Sequence, residues 1–141
     1  MRVLLVDPGG TERRHLAFGL RQAGFTVSEC KDLSEAADQV RRELPDMAVF
    51  VASSDGIESF TLADKLRTWN PEVMLFVASG VDGPDPDHLI GEYDADGHVL
   101  RPYQVEAVLQ TMSEASGLDR YQDLQSGFFT KPDPSLLHVA K

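Results

Sequence analysis

The sequence predicts a doubly wound α/β fold: a five-stranded parallel sheet of order 2-1-3-4-5 between two layers of helices. Three observations predict it. Short apolar runs of strand length alternate with longer runs of helical period from the start of the chain to residue 116. The runs beginning at Val3, Met47 and Val73 are continuously apolar, as strands buried on both faces are. The segments between successive runs are long enough for helical crossovers, which join parallel strands with a right-handed turn.

The first strand is Val3-Leu4-Leu5-Val6, stopped by Asp-Pro-Gly-Gly. Thr11 is placed to cap a helix running to Ala23, with Leu16, Leu20 and Ala23 on its inner face and Gly24 as its stop. Phe25 to Glu29 reads as the second strand. Asp32 or Ser34 caps a helix from Ser34 to Leu44 whose apolar face is Ala36, Ala37, Val40 and Leu44, and Pro45 ends it. Met47 to Ala52 is the central strand. After the loop Ser53-Ser54-Asp55-Gly56, a helix from Ile57 to Trp69 turns Phe60, Leu62, Ala63 and Leu66 inward. Val73 to Ala78 is the fourth strand, Asp87 to Glu92 a short helix, Gly97 to Leu100 the fifth strand, and Tyr103 to Ser116 the last helix. In this flavodoxin-like arrangement ligands sit beyond the carboxyl ends of the strands, at the switch point beside strands one and three.

Composition narrows the classes. The chain has 141 residues, 42% hydrophobic and 26% charged, a net charge of −10 and a single cysteine. The acidic surface repels a phosphate backbone, so no nucleic-acid partner is expected. No run is long and apolar enough to span a bilayer and the opening apolar run is too short for a leader, so no membrane association and a cytoplasmic place are expected. Cys30 reads as a partly buried thiol at a strand end. His15, His88, His98 and His138 lack metal-ligand spacing. Residues 1–116 form one domain, and 117–141, with Pro132, Pro134 and Phe128-Phe129, read as a tail or linker.

VLLVD at 3–7, PDMAVFV at 45–51, VMLFVAS at 73–79 and DGHVLRPY at 96–103 resemble, in order and spacing, the receiver domains of two-component response regulators. In that family an aspartate ending the third strand accepts a phosphoryl group. Two acids after the first strand hold magnesium, and a hydroxyl after strand four and a lysine after strand five touch the phosphoryl group. Carried onto this chain, the pattern keeps the first acid as Asp7 and puts Pro8 at the second. It puts Val51 at the acceptor, Ala78 or, one residue on, Ser79 at the hydroxyl, and Arg101-Pro102 at the lysine and its proline. The resemblance therefore implies a degenerate, pseudo-receiver pocket: not an enzyme, no cofactor, with Mg2+ binding weak or absent. Asp7 and Arg101 are expected to form an ion pair.

The resemblance further implies action by contact with signalling partners, a sensor kinase or an output protein, or as a homodimer through the face of the fourth helix, fifth strand and fifth helix. Glu92, Tyr93, His98, Tyr103 and Glu106 are the expected interface residues. Two other readings stand beside it. Asp55 is a displaced acceptor in the loop after strand three, although an Asp before Gly is also an ordinary turn residue. Gly9, Gly10, Ser79 and Arg101 could instead hold a small anion or nucleotide at the strand ends.

Overall fold

The computed structural model describes residues 1–53 and 56–117. The elements are β1 (Arg2–Val6), α1 (Gly10–Gln22), β2 (Thr26–Cys30), α2 (Leu33–Arg42), β3 (Met47–Val51), α3 (Ile57–Trp69), β4 (Met74–Gly80), α4 (Pro86–Tyr93), β5 (Gly97–Arg101) and α5 (Val105–Ser116). The strands lie in the order β2-β1-β3-β4-β5 and every pairing is parallel, as expected. The expected tail lies, beyond Gly117, outside the described residues, and so does Asp55. Among the described residues no helix is long and apolar enough to cross a membrane.

Strand alternation splits the core into two layers. Val3, Leu5, Val49, Phe76, Ala78 and Val99 pack under α1 and α5 with Leu16, Leu20, Val108 and Met112. Leu4, Val6, Ala48, Phe50, Leu75 and Val77 face α2, α3 and α4 through Ala36, Val40, Leu62, Leu66 and Leu89. Burying each such Val, Leu or Phe is worth roughly 1.5–3 kcal/mol, and the sheet is buried on both faces because each strand supplies both layers.

The structure corrects several element ends and two core positions. Gly9, not Thr11, is the N-cap of α1, and it makes no side-chain cap. Asp32, not Ser34, caps α2 by accepting the Glu35 amide. Leu44 is not on the α2 face: the helix stops at Arg42 and Leu44 is 49% exposed. The residue before a proline is pushed out of helical backbone, so the turn must be given up before Pro45. Phe60 does not face inward either. The buried stripe of α3 runs through Ser59, Leu62, Ala63 and Leu66, which leaves Phe60 at its rim against the Tyr93 ring, with ring centres 5.6 Å apart. The fourth helix is fuller than expected, starting at Pro86 behind an Asp85 cap.

Helices α1 and α5 meet at Gly19. A Cβ there would lie 2.5 Å from Cγ2 and 2.7 Å from Cγ1 of Val105, whose β-branch cannot swing aside. Gly19→Ala, although it raises helix propensity, is expected to destabilise the fold by about 1–3 kcal/mol through overpacking. The Val105→Ala change in the same chain should recover most of that loss, as read from urea unfolding midpoints.

Candidate functional site

The carboxyl ends of β1, β3, β4 and β5 converge on one buried acid. Asp7 follows β1 and is 0% exposed. Both oxygens are filled. Oδ1 accepts the Gly9 amide at 2.7 Å and Arg101 Nη2 at 3.0 Å, while Oδ2 accepts Arg101 Nε at 3.0 Å and the Tyr103 hydroxyl at 2.6 Å. The expected Asp7–Arg101 pair is thus a two-pronged one, the geometry a guanidinium gives and an ammonium cannot. Arg101 Nη2 also reaches Glu12 Oε2 at 2.8 Å, so one cation serves two acids. Arg13 Nη1 donates to the Asp7 carbonyl oxygen, and the Asp7 amide donates to the Cys30 carbonyl.

Local sequence explains the convergence. The peptide between Arg101 and Pro102 is cis, and Tyr103 turns its ring inward, 3% exposed. A Cβ at Gly9 would lie 2.8 Å from Arg101 Nη2 and 3.2 Å from Asp7 Oδ1, so the guanidinium would have to shift from its place on Asp7. The glycine turn therefore spends its first amide on the chain's own carboxylate.

Around this pair the expected reactive positions are aliphatic. Val51 ends β3 and is paired in register with Ala78. Ala78 is fully buried, and Pro8 is exposed at the rim with no carboxylate to offer. Ser79, the one-residue-shifted alternative, points its hydroxyl at His98 Nε2, 2.7 Å away. Burial lowers the His98 pKa, so the neutral ring is favoured. A hollow of about 400 Å³ opens over these residues, lined by Val51, Ala52, Ser53, Ala78, Ser79 and Arg101 among others.

This donor set does not suit magnesium. The Asp7 carboxylate is already saturated by four protein donors, and Val51 and Pro8 supply no hard oxygen side chain. Among the described residues no group of three or more His, Cys, Asp or Glu is arranged to hold a metal.

Two of the expected interface residues are corrected. Tyr93 is 5% exposed, with its ring edge on Phe50 and its hydroxyl 2.7 Å from Ser59 Oγ. Tyr103 is the Asp7 ligand just described. Both rings have a polar partner inside the fold, which is how a tyrosine is buried at low cost. Glu92 and Glu106 are exposed and His98 is half-buried. Sequence reasoning missed Tyr103, Glu12 and Gly9 as partners of Asp7. Only the spacing of Arg101 and Tyr103, two apart after a strand, carried a signal for any of them.

The buried thiol and phenol are expected to weaken the fold at alkaline pH. Burial, then Glu35, push Cys30 from 9.0 up to about 11; burial, then the Asp7 hydrogen bond, push Tyr103 up from 10.0. Each native pKa lies above its unfolded one, so the stabilising contribution is whole below pH 9 and is lost as pH rises toward the native values. The unfolding midpoint should fall between pH 9 and 11, and less steeply in Cys30→Val and in Tyr103→Phe. Asp7→Asn leaves Arg101 facing an amide and is expected to cost about 3–5 kcal/mol at pH 7, the loss typical of a broken buried pair.

No family model matches the chain. Among curated proteins it is similar to the virulence transcriptional regulatory protein PhoP of Salmonella typhimurium, with 26% identity over 112 residues. The transcriptional regulatory protein PhoP of Escherichia coli O157:H7 is 25% identical over the same length. The match takes in 79% of this chain and 50% of each relative, so the chain spans about half their length. Among solved structures it is similar to a response regulator from Thermotoga maritima, with a TM-score of 0.71 and 24% identity, covering 82% of this chain and 97% of that one. A response regulator receiver domain protein from Clostridium thermocellum gives 0.70 and 14%, covering 82% and 94%. The chemotaxis response regulator CheY4 of Vibrio cholerae gives 0.69 and 19%, covering 81% and 97%.

Proposed function

We propose that this receiver domain is a module of two-component signalling that is not phosphorylated and acts by protein contact. The observation that carries the reading is the saturated Asp7 carboxylate, held by Arg101, Tyr103 and Gly9 beside an aliphatic Val51. A phosphoryl group needs a nucleophilic oxygen at the end of β3, and a valine has none. It also needs spare positive charge. Here Asp7 and Glu12 share one guanidinium, so a dianion brought to the strand ends meets net negative charge, and among the described residues no cluster of metal-ligating side chains offsets it.

On this reading the partners are a sensor kinase or an output protein in the cytoplasm, or a second copy of the chain through the α4–β5–α5 face. Glu92, His98 and Glu106 reach that surface, and Leu100 of the edge strand is 49% exposed on it. The small-anion reading is less favoured, because Arg101, its only cation, is already shared by two acids.

Incubation with acetyl phosphate and magnesium, followed by mass spectrometry, tests the reading. The expected result is no added phosphoryl mass on the wild-type chain and none on Val51→Asp alone, since the new carboxylate would lack a metal. The triple change Pro8→Asp, Val51→Asp and Arg101→Lys, which restores both acids and frees Asp7, should gain magnesium-dependent labelling. Labelling of the wild-type chain at any aspartate, Asp55 included, would overturn it.

A further inference from the structure

A second hollow lies on the other side of the strand ends, between β1, β3, α2 and α3, with a volume of about 320 Å³. It is at the lower end of the size range of small-molecule sites, about 300–1,000 Å³, and it occupies the topological switch point where open α/β sheets take their ligands. Its floor is apolar: Val6, Phe50, Val51, Leu33 and Leu62 line it, with Pro8 at the lip. Polar groups are few and sit at one end. Ser53 and Ser59 hydroxyls are bonded to each other at 3.0 Å, and Ser59 is bonded on to Tyr93.

The charged lining residues decide what kind of molecule fits. They are Lys31, Asp32 and Glu58, one cation against two anions. Each acid is fixed in place by a single backbone amide: Asp32 Oδ1 accepts the Glu35 amide at 2.9 Å and Glu58 Oε1 the Leu33 amide at 2.9 Å. That leaves the second oxygen of each without a hydrogen bond among the described residues; Asp32 is half-buried and Glu58 exposed. Lys31 is an exposed side chain at the rim, and its amide donates to a third acid, Glu35. The local balance is therefore negative, in a chain whose net charge is already −10.

We propose that this hollow binds a small, mostly apolar molecule carrying one positive charge: a single ring or short branched body seated on Val51, Phe50 and Leu62, with its ammonium between Asp32 and Glu58. The apolar body supplies most of the affinity by leaving water, and the two carboxylates set the preference for a cation. Val51, Ala52 and Ser53 line this hollow and also the one over Arg101, but its charged lining residues, Lys31, Asp32 and Glu58, are distinct from the Asp7–Arg101 pair.

The test compares three probes of one shape on the full chain at low salt: 2-phenylethylamine, 2-phenylethanol and 3-phenylpropionate, followed by backbone amide shifts. The amine is expected to bind tightest, the alcohol next and the acid weakest, with each carboxylate worth about two- to fivefold, as exposed ion pairs are. Asp32→Asn with Glu58→Gln keeps an oxygen for both capping amides, and should make amine and alcohol bind alike while the alcohol is unchanged. Ala52→Phe, or Val51→Phe should the first not fold, fills the hollow and should abolish binding of all three. The proposal is overturned if no probe shifts the amides around the hollow or if the acid binds as well as the amine. It is equally overturned if the neutralised variant keeps the preference, or if a folded filled variant still binds.

Discussion

The structure turns on one buried carboxylate. An ionised acid cannot be taken out of water without partners, and Asp7 is completely removed from it. Its four donors come from three places: the turn leading into α1, the end of β5, and the segment entering α5. Because all four meet on one side chain, the ends of the first and last strands and the starts of the first and last helices are fixed relative to one another. Gly9 is glycine because the guanidinium passes where a Cβ would be, and Tyr103 faces inward because Oδ2 has room for one more donor.

The aliphatic neighbours strengthen this arrangement. Val51 and Ala78, paired across β3 and β4, put apolar side chains beside the pair, and a charge interaction grows as its surroundings dry. Arginine matters here as much as valine does. A lysine would offer a point charge that could leave for another anion, whereas the guanidinium is held by two parallel bonds to Asp7, a third to Glu12, and lies 5.8 Å from the Tyr103 ring centre. Val51 and Arg101 are thus mutually consistent: the valine brings no charge to the strand ends, and the guanidinium is committed to Asp7 and Glu12.

Most of the fold was legible in the sequence because it rests on periodicity. The continuous apolar runs at Val3 and Met47 can only be strands buried on both faces, and their spacing left one economical strand order. The errors fall where period gives no information. Leu44 has the right spacing for α2, but Pro45 acts through backbone geometry and cancels it. Phe60 is apolar yet lies just off the buried stripe of α3. At the site, the Asp7–Arg101 pair was legible because both ends of the contact sit at strand ends of known order. Tyr103 and Tyr93 were misassigned to the surface because the sequence cannot say which way a ring turns. That is decided by a hydrogen-bond partner, Asp7 for one and Ser59 for the other, distant in the chain.

The hydroxyls of Ser53, Ser59 and Tyr93 extend the same logic to α4. Ser59 is bonded to both others, so the loop after β3, the first turn of α3 and the last turn of α4 are joined by buried polar contacts. Tyr93 adds an edge-on contact with Phe50 of β3. A helix held this way has its position set by hydroxyl hydrogen bonds and by packing. The acidity of the chain works at longer range: a net charge of −10 gives it a negative field, attractive to cations and repulsive to anions.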